Sequence, residues 1–185
     1  MDRQAIEELT MPITYGRHLQ RLFDPEALLK GTGIPTQELQ KPDQKITVKQ
    51  ALRYVSNAIK IAPEPSWYLE WAHSIADHFH GPISIALLSA PTIGAGLDTF
   101  SRFFPSRIPY MHIDSHVADR FFHLEFLPLI DLLESKPLLI ETPMVILRQH
   151  IETVYGVDLE ESRTQFDYSA SLPTDAYEKH FGAQI

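Results

Sequence analysis

The chain contains no cysteine. Its fold therefore cannot rest on disulfides or on a thiolate metal site, and a reducing cytoplasm is the expected home. No apolar run approaches the roughly 18 residues a membrane-spanning helix needs. The opening segment MDRQAIEELTMP carries acidic residues and lacks the apolar stretch of a secretory signal. A basic stripe is missing too. Lys and Arg number 16 against 24 Asp and Glu, a formal net charge of −8. A surface of that sign repels phosphate, so these residues are not expected to grip nucleic acid.

Catalytic patterns are equally scarce. There is no Gly-x-Ser-x-Gly elbow, and Ser89 sits in an apolar run without a His nearby in sequence. Gly94-Ala-Gly96 lacks the later glycine and the preceding strand of a phosphate loop. Glu70-x-x-His73 has the spacing of half a di-iron site, but no second Glu-x-x-His accompanies it. The nine histidines give no three-ligand spacing; His78 and His80 flank a helix end, and His112, His116 and His123 fall on a predicted hairpin. Neither an enzyme nor a metal or cofactor protein is the expectation.

What is present is a chain of 185 residues, 44% apolar, enough for one packed domain over 1–185. Residues 17–30 read as one helix with a stripe of Leu19, Leu22, Phe23, Leu28 and Leu29, stopped by Gly31 and Gly33. Residues 34–45 read as a loop. Thr47-Val-Lys-Gln50 matches a capping box and opens a helix with Val48, Leu52, Val55 and Ile59 on one face. Another helix starts at Ser66, carries Trp67, Trp71, Ile75 and His78 on a stripe, and ends near His80-Gly81-Pro82. Ile83 to Ser89 suggests one or two buried helical turns. Thr92 is an N-cap for a helix faced by Ile93, Leu97, Phe100, Phe103 and Phe104.

After Pro105 the apolar period changes from near 3.6 to 2. Residues 108–115 and 120–126 read as two strands joined by a loop over Ser115–Asp119 that lacks glycine. Residues 129–155 are helical, in two pieces split at Pro143 with Thr142 as cap, and Gly156 closes them. Thr164, Phe166 and Tyr168 alternate as a third strand. A short helix from Pro173-Thr174 to His180 follows, and Ala183–Ile185 reads as the start of a further strand. The expected fold is α+β: an N-terminal helical part, then a small antiparallel sheet in β-β-α-β-α(-β) order.

The stretch from Gly81 to Leu97 carries Ala86, Leu87, Leu88, Ser89 and Thr92. It resembles the signature of the "arabinose-binding-like" N-terminal domain of AraC-type transcriptional regulators, in the branch of the ornithine-utilisation and mycobacterial virulence regulators. Ser84 and Gly96 depart from that signature, which has Gly and Ala there. Leu28-Leu29 with Gly33, Pro42 to Ile46, Pro65 to Leu69, and Tyr177 to Gly182 resemble further family elements in the same order. The similarity spans residues 12–185. It implies an effector-binding domain that forms a homodimer and reaches DNA only through a C-terminal helix-turn-helix domain that would follow this chain. Read physically, Thr92 caps, and Ala86 and Ser89 permit close helix approach without any ligand.

Trp67, Trp71, Tyr110, Phe121, His123, Met144 and Arg148 combine aromatic walls with a few polar groups, as small-molecule cavities do. Arg148 suits a carboxylate, unless it pairs with Glu141 or Glu152. A structural or protein-interaction domain without a small ligand, and a metal- or haem-linked sensor using the histidines, are the alternative readings.

Overall fold

A computed structural model describes residues 2–41, 44–76 and 82–182, without the side chains of Pro82 and Leu88. The chain divides into two compact units. The first comprises Met1–Ala62 and Gly81–Ser135, the second Pro63–His80 and Lys136–Ile185.

The first unit opens with α1 (Arg3–Glu7), β1 (Thr10–Pro12), α2 (Thr14–Leu19), α3 (Pro25–Leu29), a 3-10 turn over Thr36–Gln40, β2 (Lys45–Thr47) and α4 (Val48–Ile61). The single helix expected over 17–30 is in fact two. Pro25 cannot continue a helix as donor, and Asp24 caps a new one by accepting from the Ala27 amide at 2.9 Å. The helical opening also holds a small sheet that the sequence reading did not include. β1 and β2 pair antiparallel, Met11 opposite Ile46.

The capping box forms as expected. Thr47 Oγ1 accepts from the Gln50 amide at 3.2 Å, and Gln50 Oε1 accepts from the Thr47 amide at 3.0 Å. The buried face of α4, however, is Val48, Ala51, Tyr54, Asn57 and Ala58, while Leu52, Val55 and Ile59 lie on its half-buried flank. Polar tips explain the rotation. Asn57 donates to the carbonyls of Leu28 and Lys30, both at 2.8 Å, and Tyr54 donates to that of Gly16 at 2.8 Å. Each buried polar group finds an acceptor, so it can sit inside.

The remainder of this unit is α6 (Pro82–Ser89), α7 (Ile93–Phe103) and a hairpin, β3 (Met111–Ala118) with β4 (Phe121–Pro128). Thr92 caps α7, accepting from the Ala95 amide at 3.2 Å. The hairpin turn is tighter than the expected five-residue loop. It consists of Asp119 and Arg120, both left-handed at φ +50° and +69°. Two positive φ values are what a type I′ turn demands, and here they fall on residues other than glycine. Met111 and Ile113 are buried. Phe126 meets Phe104 edge-on at 6.1 Å, and Phe122 borders Gly94 of α7.

In the second unit α5 (Trp67–Ala76), α8 (Lys136–Tyr155) and α9 (Thr174–Phe181) pack together. The expected break at Pro143 does not occur, and Thr142 is not a cap: α8 runs through as one helix. Leu138, Leu139, Ile140, Val145, Ile146 and Leu147 are buried on both sides of the proline, so tertiary packing outweighs the lost N–H donor. Gly156 closes the helix at φ +61°. Residues 164–168 are not a strand. Thr164, Phe166 and Tyr168 do alternate in burial with exposed neighbours, but among the described residues no strand pairs with them. Phe166 instead stacks near Tyr177 and Phe181 of α9. The described order in that half is thus β-β-α-α. The expected strand at Ala183–Ile185 and the helix end at His78–Gly81 lie outside the described residues.

Candidate functional site

The second unit holds the chemistry. Glu141 is fully buried on α8. A lone carboxylate there is costly unless donors surround it. Three tyrosines do so: Tyr68 of α5 donates to Oε2 at 2.6 Å, Tyr168 to Oε1 at 2.9 Å, and Tyr177 of α9 to Oε1 at 3.3 Å. The Tyr177 oxygen in turn accepts from the Ser171 amide at 3.3 Å. Burial raises the Glu141 pKa above its ordinary value of 4.5, against the three phenol bonds, which favour the ionised form. Burial and the neighbouring acid also push the Tyr68 and Tyr168 hydroxyls far up, so both stay protonated donors.

Aromatic rings enclose this network. Phe166 lies 5.3 Å from Tyr168, 5.5 Å from Tyr177 and 5.6 Å from Phe181, centroid to centroid. On α5, Trp67 and Trp71 are 5.9 Å apart. The buried polar atoms on this helix pair without a hydrogen-bond partner include Trp71 Nε1, one turn beyond Tyr68, and Thr142 Oγ1, next to Glu141. Both residues are more than nine-tenths buried. A buried indole N–H is a donor only, and leaving it unmade costs about 1–3 kcal/mol.

The sequence-derived candidates divide between the units. Trp67, Trp71, Met144 and Arg148 belong to the second, Tyr110, Phe121 and His123 to the first. Trp67 and Trp71 sit in the aromatic group just described, and Met144 is half-buried on α8. Arg148 is occupied within its own unit. It pairs with Glu152 at 3.0 Å and donates to Ser162 Oγ at 2.6 Å and to the Phe181 carbonyl at 3.0 Å. Gly182 follows at φ +83°, and a Cβ there would meet the Arg148 guanidinium at 3.5 Å. The Tyr-x-x-x-Phe-Gly element is therefore physical: a tyrosine for Glu141, a ring for the core, and a glycine beside the arginine.

In the first unit Tyr110 is buried, and burial raises its pKa. Phe121 and His123 are exposed on β4, where His123 stacks on His116 at 4.9 Å. Leu87 and Leu97 are core residues, Ala86 is half-buried and Ser89 is exposed. Gly81 lies outside the described residues, as does the side chain of Leu88. An open cleft of about 280 Å³ runs between α7 and β3, rimmed by Asp98, Arg102, His112 and Asp114. Asp98 and Arg102 already pair at 2.8 Å, and the cleft falls below the roughly 300 Å³ of small ligand pockets.

Glu70 and His73 of the Glu-x-x-His pattern lie on α5. Glu70 pairs with Lys179 and lies 3.6 Å from His180, and burial lowers the His180 pKa. Among the described residues no three His, Cys, Asp or Glu side chains gather for a metal ion.

Glu141 was missed as a site by sequence reasoning, which weighed it only as a partner for Arg148. One signal was present: a single acid inside the apolar run Leu138–Ile146. Its partners at 68, 168 and 177 are too far apart in sequence to be read as a group.

Comparison with known proteins places this architecture. Residues 23–185 match the family described as the arabinose-binding domain of AraC transcription regulators, N-terminal. No match is found among curated proteins.

Proposed function

Because the chain belongs to the family of N-terminal arabinose-binding domains of AraC transcription regulators, we propose that it senses a small-molecule effector in the cytoplasm and dimerises, without catalysing a reaction. The family is a ligand-binding regulatory one. The family match over residues 23–185 is the observation that carries the reading. The effector shifts the population of two states, and a basic C-terminal domain reads that shift at DNA. Among the described residues no helix is long and apolar enough to cross a membrane.

The effector contacts are assigned to the α5–α8 face of the second unit. Trp71 Nε1 and Thr142 Oγ1 lack partners there, so a ligand with a hydrogen-bond acceptor gains bonds that the protein itself leaves unmade.

Thermal-shift screening against sugars, amino acids, organic acids and fatty acids tests this. A ligand at 100 times its Kd stabilises by about 2.7 kcal/mol. At least one class is expected to raise the Tm in a dose-dependent way. A flat response across the whole panel would overturn the sensing reading.

A further inference from the structure

We propose that the outer edge of β4 is the surface through which two copies of this chain pair, in an antiparallel register centred on Leu124. The inference rests on the dimerising part of the function proposed above and assigns that dimer its surface.

Among the described residues the hairpin is a two-stranded sheet. β3 is flanked by α7, with the cleft between them. No backbone hydrogen bond from a described residue reaches the outer edge of β4. An edge of this kind is a template for another strand.

The hydrogen-bonding phase of that edge is fixed. A two-residue turn makes Ala118 and Phe121 a hydrogen-bonded pair, and the Leu129 amide donates to the Tyr110 carbonyl at 2.8 Å in the same phase. Odd-numbered residues of β4 therefore bond inward to β3. Phe122, Leu124 and Phe126 direct their N–H and C=O groups outward. Pro128, which has no N–H, also falls in an outward position and ends the usable edge.

Two-fold pairing about Leu124 satisfies all of these groups reciprocally. Leu124 bonds its own copy, and Phe122 bonds Phe126 of the other chain. On the open face the same register sets Phe121 opposite Leu127 and His123 opposite Glu125. Phe121 and Leu127 are 48% and 42% exposed, large apolar side chains that each find an apolar partner. His123 and Glu125 are complementary in charge when the imidazole is protonated, and a hydrogen-bonding pair otherwise. Neighbouring registers do worse. Centring on Glu125 opposes two carboxylates and sets Phe122 against Pro128, which has no N–H to give. Centring on His123 sets Phe121 against Glu125. One register thus matches hydrogen bonds, apolar pairs and charge at once, in the self-complementary form a two-fold interface requires.

Cysteine cross-linking of the full chain tests the register, because no native thiol competes. Directly opposed hydrogen-bonded residues lie about 5.5 Å apart, within disulfide reach. Leu124→Cys is expected to give a covalent dimer under mild oxidant at least ten times faster than Val117→Cys, which is 70% exposed on β3. Equal rates, or no cross-link at Leu124, would overturn the surface. Sedimentation separates this from dimerisation itself: a dimer without the Leu124 cross-link rejects β4 and keeps the dimer, whereas a monomer at all concentrations rejects both. A second pair of variants changes only exposed positions. Phe121→Lys with Leu127→Lys, and Phe121→Glu with Leu127→Glu, should each weaken self-association about tenfold or more, since like charges then oppose. An equimolar mixture should restore the dimer as a heterodimer. If each variant dimerises as the parent does, or the mixture fails to associate, β4 is not the interface.

Discussion

The two units differ in what they leave open to a partner. The second encloses a carboxylate among tyrosine hydroxyls, with unpartnered polar atoms of Trp71 and Thr142 buried on the same two helices. The first also buries unpartnered atoms, Gln20 Nε2 and Arg107 Nε among them, but among the described residues it adds an open strand edge with exposed Phe121 and Leu127. Buried unmet groups suit a small molecule that enters; exposed ones suit a partner that docks. The proposed effector site and the proposed dimer surface follow that division, one in each unit.

Breaking the enclosed network is expected to have the largest effect. Glu141→Ala leaves three phenols without their acceptor and a cavity beside them, a loss of about 3–5 kcal/mol, measured by chemical denaturation. Tyr68→Phe removes only the shortest bond to Glu141 and should cost about 1–2 kcal/mol in the same assay.

Glu141→Gln sharpens the comparison by pH. The folded-state pKa of Glu141 is raised, so its contribution to stability is fully present below the ordinary value of 4.5 and is lost as pH rises through the raised folded value. Tm measured across that window is expected to decline in the parent and to flatten in the glutamine variant. A parallel decline in both chains would locate the titration elsewhere.

The first unit should respond less. Thr47→Ala breaks the capping box of α4 and should cost about 1 kcal/mol by denaturation. Arg120→Gly relieves a left-handed residue in the hairpin turn and should stabilise by about 0.5–1 kcal/mol, because glycine adopts φ +69° without a Cβ penalty.

These contrasts follow what a sequence can disclose. Local chemistry was legible: the Thr47–Gln50 box, the Thr92 cap, the Gly156 stop and the change of period after Pro105 all rest on residues within a few positions of one another. Features set by distant partners were not. Alternation at Thr164, Phe166 and Tyr168 is real, yet a strand needs a neighbour, and these side chains turn to helices instead. Pro143 signals a break, but burial on both sides of it carries α8 through. The candidate site divides likewise. Trp67 and Trp71 were legible as an aromatic pair one turn apart, while Glu141 became visible only when residues 68, 168 and 177 met around it.

Tryptophan emission tests the central claim most directly, because the only two tryptophans, Trp67 and Trp71, are both on α5. A metabolite that raises the Tm should also shift the emission of the full chain, and Trp71→Phe should weaken its binding about tenfold, the loss of one buried hydrogen bond. A stabilising metabolite that leaves the emission unchanged and binds Trp71→Phe with undiminished affinity would contradict the assignment of sensing to the second unit.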